Sequence, residues 1–169
     1  FRRVGVVATA ATVGAGSYGR TIRARVAGID VVEVPAPALV PLVEAGMLEG
    51  ARPRAAVAEV CAHLPIDLDA LILGCTHYPV LEEHFRAVLA ERVALVDPAT
   101  IQAHRAAELL GERARGSGAT EYLTSGDEAP FFENVARVAA LMRRQQSHVK
   151  EGEEEPRRHD RERDTGKHL

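Results

Sequence analysis

One stretch of this chain combines residue types and spacing suited to chemistry: Gly74-Cys75-Thr76-His77-Tyr78-Pro79, directly after the apolar run Leu71-Ile72-Leu73. The run reads as a buried strand ending at Gly74, and Pro79 suits the first turn of a following helix. Cys75, Thr76 and His77 then occupy the loop between them. Open α/β sheets bind ligands at the carboxyl ends of their strands, so these side chains are placed to meet a substrate. The amino end of the next helix would add partial positive charge and unpaired N–H groups, which favour a thiolate and a bound carboxylate. Spacing alone leaves two readings of Cys75 open, a poised thiol or a small buried hydrophobe. Two other chemistries are disfavoured locally. A phosphatase loop wants arginine six residues after the cysteine, where this chain has Leu81, and Cys61-x-His63 with Cys75-x-His77 lacks the ligand gaps of a structural zinc site. No metal is expected.

Cys61 falls in a helical segment with Val57, Val60 and Leu64, and reads as a packed helix residue. His63 reads as solvated. Gly14-Ala15-Gly16-Ser17-Tyr18-Gly19 matches a dinucleotide fingerprint, with Glu33 near the place of a ribose-binding acid. The context argues against it, because Thr9 to Val13 separate the strand from the first glycine and Glu33 lies inside its own strand. A glycine-rich loop feeding a helix is the better reading.

The elements that would position these residues alternate as βα units around a parallel sheet. Strands are predicted at Val4 to Ala8, Asp30 to Val34, Asp69 to Leu73, Val93 to Val96 and Glu121 to Thr124. Helices are predicted at Ser17 to Val26, Ala38 to Leu48, Ala55 to Leu64, Val80 to Glu91, Ile101 to Arg113 and Phe131 to Arg144. In the Val80 segment Leu81, Phe85, Val88 and Leu89 share one face, which should pack on the sheet. Gly111 to Ala119 reads as a flexible connection. From Lys150 to Lys167, 13 of 18 residues are charged, six positive and seven negative, so residues 144–169 read as a disordered, solvated tail.

The net charge of -3 provides no positive excess for a phosphate backbone, and 4% aromatic residues without Trp cannot build a base-stacking platform. Nucleic acid is not an expected partner. No apolar run approaches the roughly 20 residues of a membrane span, and two cysteines are too few for a disulfide framework. The chain reads as cytoplasmic, with a small polar ligand. It opens at Phe1 and enters an apolar strand within three residues, which reads as a fragment whose beginning is missing.

Four strings in order carry a resemblance across most of residues 3–143: Val4-Gly5-Val6-Val7-Ala8-Thr9 with Ala11-Thr12, Pro41-Leu42-Val43-Glu44, Gly74-Cys75-Thr76-His77-Tyr78-Pro79 and Leu95-Val96-Asp97. Here the chain resembles the glutamate racemases of the aspartate/glutamate racemase superfamily. His77 is the discriminating residue, since aspartate racemases usually carry glutamate there. One departure is Ala36-Pro37, where relatives commonly have Cys-Pro.

The resemblance implies two pseudo-symmetric α/β domains of three layers each, with the active site between them and one catalytic cysteine from each. Residues 1–97 would be the second domain, nearly complete, and 98–143 the C-terminal part of the first. The first domain's cysteine lies in a Cys-Asn-Thr string that is absent here. The implied activity is cofactor-independent interconversion of L- and D-glutamate, supplying D-glutamate for peptidoglycan. Cys75 would move the α-proton on the L side, His77 would tune it, and Glu44 would orient or assist His77. Thr76, His77, Thr9 and Thr12 would contact substrate carboxylates. Aspartate racemase, a related two-cysteine isomerase and a non-catalytic small-acid-binding domain remain alternatives. Oligomeric state is left open, a homodimer included.

Overall fold

The computed structural model describes residues 1–113 and 118–153, with backbone only for residue 112 and residues 144–153. Four parallel strands, β1 (Arg3–Ala8), β2 (Asp30–Pro35), β3 (Ala70–Gly74) and β4 (Ala94–Val96), form one sheet in the order β2-β1-β3-β4. The central strand β1 pairs on both sides, Val4 with Val31 and Ala70, Ala8 with Pro35 and Gly74. Its residues Val4, Val6, Val7 and Ala8 are correspondingly buried on both faces.

Helices α1 (Ala10–Ala15) and α2 (Ser17–Arg25) connect β1 to β2. They cover one face through Val13, Tyr18 and Ile22, packed on Val6, Ala8 and Val31. Helices α3 (Leu39–Glu44), α4 (Ala51–Cys61) and α5 (Glu82–Val88) cover the other. The larger core lies there, around Leu39, Val57, Leu71, Leu73, Tyr78, Leu81 and Phe85. Helix α6 (Pro98–Leu110) buries none of its residues. Helix α7 (Glu128–Glu153) returns to the larger core through Leu141, with Val138 and Met142 packed beside it.

Four of the five predicted strands are present within a residue or so. Glu121–Thr124 is not a strand: it is exposed loop, with no neighbouring strand among the described residues to complete its ladder. The glycine-rich string is not loop throughout, because the six-residue helix α1 includes its first two residues, Gly14 and Ala15. The helix predicted over residues 80–91 is a four-residue 3₁₀ turn, Tyr78–Leu81, followed by α5. Of its predicted apolar face, Leu81 and Phe85 are buried and Leu89 packs against the larger core, while Val88, the last residue of α5, is 38% exposed. Residues 144–153, expected in the tail, continue α7, and 154–169 lie outside the described residues.

The amino ends of the strands are stapled by charge. Arg3 pairs with Asp30 at 2.7 Å and with Asp67, while the Asp69 carboxylate accepts the backbone N–H groups of Arg2 and Arg3. The Arg3 guanidinium holds the Asp67 carboxyl below its ordinary range, and the two backbone donors do the same for Asp69. A depressed carboxylate pKa contributes stability that is present above the unfolded value of about 4 and is lost as pH falls through the folded value. The melting temperature should therefore drop as pH is lowered below about 4, and Asp69→Asn should flatten that acid limb. An unaltered limb in Asp69→Asn would show that the staple carries no linkage.

Candidate active site

The chain winds from β1 to β2 on one side and then crosses to β3 on the other, so the sheet's winding reverses between β1 and β3. A crevice opens outside the carboxyl ends of strands at such a reversal. Ala8 pairs with Gly74, so Thr9 and Cys75 are the first residues beyond the ladder on adjacent strands. Thr9 caps α1, accepting from the Thr12 N–H at 3.3 Å, and its hydroxyl meets that of Thr12 at 2.9 Å.

Strand alternation sends Leu71 and Leu73 into the larger core, with Cys75 packed at its margin, and turns Ile72 to the α1–α2 face. Gly74 points to that second face as well. A Cβ at Gly74 would stand 3.1 Å from the Ala8 Cβ and 3.2 Å from both Tyr18 and Val6 carbons, so glycine is what lets the strand close on its neighbours here. The chain then turns sharply, the Tyr78 N–H donating to the Cys75 carbonyl at 3.1 Å.

That turn gathers the polar side chains. Cys75 Sγ lies 3.8 Å from His77 Nδ1, and Thr76 Oγ1 lies 3.5 Å from the same nitrogen. His77 Nε2 faces Glu44 Oε1 at 3.6 Å. Glu44 ends α3, and its carbonyl is held by the Asn134 side-chain N–H of α7 at 2.9 Å. Thiol, imidazole and carboxylate thus stand in series, an order that can pass a proton toward or away from sulfur. The contacts are longer than tight hydrogen bonds, as catalytic contacts commonly are before substrate arrives.

The structure brings Cys75, Thr76, His77 and Glu44 together, and sets Thr9 at the cap of α1 after the adjacent strand with Thr12 in the first turn of that helix. It does not supply the helix amino end expected beside Cys75. The 3₁₀ turn pushes the start of α5 back to Glu82, where Glu82 and Glu83 occupy the first turn, so polar support for the thiol falls to His77. A cleft of about 450 Å³ opens beside His77 and Glu44, walled by Tyr122, Phe131, Asn134 and Val138.

Cys61 is the buried last residue of α4, and burial pushes its thiol up to about 11. His63 is exposed in the turn after that helix. The glycine-rich segment is a junction between α1 and α2 at Gly16. There Glu33 accepts the Gly19 N–H at 3.0 Å, so the carboxylate faces α2 instead of a ribose. A Cβ at Gly19 would come within 2.5 Å of that carboxylate oxygen. Gly19→Ala should cost about 1–3 kcal/mol by overpacking, read from a urea melt. A neutral result would mean that Glu33 simply swings aside.

Two further residues flank the Gly74–Cys75 segment, Tyr18 and Tyr78. Tyr78 is fully buried and its hydroxyl donates to the Ala36 carbonyl at 3.1 Å. Burial pushes both phenols upward, and the nearby charge of a Cys75 thiolate adds to it. Nothing local marks Tyr78 for this role, since Ala36 is 42 residues away.

Residues 1–106 match the model of a family described as Asp/Glu/Hydantoin racemase. A curated protein of Desulforudis audaxviator named glutamate racemase is 45% identical over 106 residues, 61% of this chain and 39% of the relative. A crystal structure of glutamate racemase from Thermus thermophilus in complex with β-chloro-D-alanine superposes with a TM-score of 0.69 at 36% identity, covering 82% of this chain and 53% of that one. The enzyme from Francisella tularensis in complex with D-glutamate gives 0.70 at 27% identity, covering 85% and 55%. The chain spans 37% to 54% of the length of the curated relatives it matches.

Proposed function

Since this chain belongs to the Asp/Glu/Hydantoin racemase family, we propose that it supplies one half of a cofactor-independent glutamate racemase, with Cys75 as the acid/base on the L side. The observation that carries the proposal is the series Cys75, His77, Glu44 at the carboxyl edge of the sheet, at the winding reversal. Inverting an α-carbon requires a proton to leave one face and another to arrive on the opposite face. A single base cannot readily serve both. Cys75 takes the α-proton of L-glutamate, and a thiol from the other domain delivers one from behind; in the D-to-L direction the roles exchange. His77 shares the Cys75 proton through Nδ1 while Glu44 orients the imidazole through Nε2. Thr76, Thr9 and Thr12 offer hydroxyl donors for the substrate carboxylates. D-Glutamate made this way would feed peptidoglycan synthesis in the cytoplasm.

The same reading divides the chain at residue 97, with 98–143 belonging to the companion domain. What supports it is the concentration of exposed large apolar residues in that part: Ile101, Leu109, Leu110, Tyr122, Leu123 and Phe132 range from 45% to 80% exposed, while the longer stretch before it exposes Phe1, Val26, Met47, Ile66 and Val88 singly. Apolar side chains exposed at this density suit burial against the companion domain.

The test is a hybrid in which this chain follows the amino-terminal portion of the Desulforudis relative that it does not match. The hybrid should form D-glutamate from L-glutamate and exchange the α-proton with deuterated solvent, leaving L-aspartate unchanged. This chain alone should do neither. Turnover by the chain alone would place a second base within it, and a folded but inert hybrid would sink the proposal.

A further inference from the structure

Two tyrosines meet the Gly74–Cys75 segment from opposite faces of the sheet, Tyr18 at Gly74 and Tyr78 at Cys75. On the α1–α2 face, the half-buried Tyr18 lays its ring against Gly74, in the space that a Cβ would need. On the other face Tyr78 lies fully buried in the larger core. Its N–H closes the turn onto the Cys75 carbonyl, and its hydroxyl reaches the Ala36 carbonyl in the loop after β2. The Ala36 N–H in turn donates to the Ala8 carbonyl at the end of β1 at 2.9 Å. The loop ends of β1, β2 and β3 are therefore linked through one phenol. We propose that Tyr18 and Tyr78 are positioning residues that clamp the Gly74–Cys75 segment from the two faces of the sheet and hold the thiol at a fixed place in the crevice.

The physical reason is the weakness of the other restraints. The loop from Cys75 to His77 is outside the ladder, Thr76 is exposed, and the His77 to Glu44 contact is 3.6 Å between partly exposed side chains, an interaction worth little in water. A buried phenol donating to a buried carbonyl is costly to leave unmade, so the tether that fixes the loop is Tyr78. Tyr18 acts by contact alone, since its ring, not its hydroxyl, meets Gly74. The consequence for catalysis rests on the reading of Cys75 as a base. The clamp itself does not, and it can be measured without turnover.

The experiment is alkylation of the full chain with iodoacetamide at mildly alkaline pH, following Cys75 and Cys61 separately by peptide mass. Cys61 is the internal control, because it is buried and its thiol is raised to about 11. Tyr78→Phe removes only the tether and should speed Cys75 alkylation about fivefold, the population change of one net hydrogen bond, with Cys61 unchanged. Tyr18→Ala should act in the same direction, whereas Tyr18→Phe, which keeps the ring, should match the parent. A general loss of stability would accelerate both cysteines together, and that result overturns the clamp, as does an unaltered Cys75 rate in both Tyr78→Phe and Tyr18→Ala. If the clamp holds while the hybrid enzyme is inert, the racemase reading fails and the positioning of the thiol stands.

Discussion

In the racemising hybrid, Cys75→Ser is expected to shift the ratio of L to D half-reaction rates by at least ~100-fold, the lower bound for a single positioned general base. Serine is close in size, but its hydroxyl is far too weak an acid to be an efficient base at neutral pH. Racemisation should collapse in both directions, because inversion needs a group on each face. With a glutamate analogue that eliminates a leaving group after α-deprotonation, only one base is required. The Cys75→Ser hybrid should then still process the D analogue through the opposite thiol while nearly failing on the L analogue. Cys61→Ser should leave the ratio alone, since Cys61 is buried in the core at the end of α4. Equal slowing of both analogues by Cys75→Ser would make the residue structural, and a skew from Cys61→Ser would put the chemistry on the wrong element.

Phe85→Ala should be the most damaging single change to stability, about 3–5 kcal/mol for a buried aromatic out of a total of about 5–15 for a domain. Phe85 is fully buried on α5, and α5 is only seven residues long, too short to persist without the tertiary contact. Losing the ring opens a cavity in the larger core and loosens the segment that follows the Cys75 turn. Val88→Ala, on the same helix but 38% exposed, should change stability by about 0.5 kcal/mol or less. Urea melts of the two variants provide the comparison. A Phe85→Ala loss below about 1 kcal/mol would mean that the larger core does not depend on this helix.

The parallel α/β architecture, four of its strands and the placement of Cys75, Thr76 and His77 in a loop were all legible in the chain itself. Each follows from a local signal: β-branched apolar runs such as Val4 to Ala8, a glycine closing one of them at Gly74, and a proline two residues beyond His77. Such signals act through neighbouring residues, whose backbone preferences and burial periods are properties of the segment alone. The strand order and the link from Tyr78 to Ala36 join residues 24 or more positions apart and came only from the packed fold, while the pairing of His77 with Glu44, 33 positions apart, was implied by the resemblance and by no local signal. For the same reason Glu121–Thr124 had the composition of a strand and did not become one, since a ladder needs a partner. The helix after Pro79 likewise tightened into a 3₁₀ turn, in which all four residues Tyr78 to Leu81 are buried. Local sequence determined which groups could do chemistry, while the long-range ladder and core packing decided which of them meet, because the free energy that fixes those meetings is released only when distant segments bury their surfaces together.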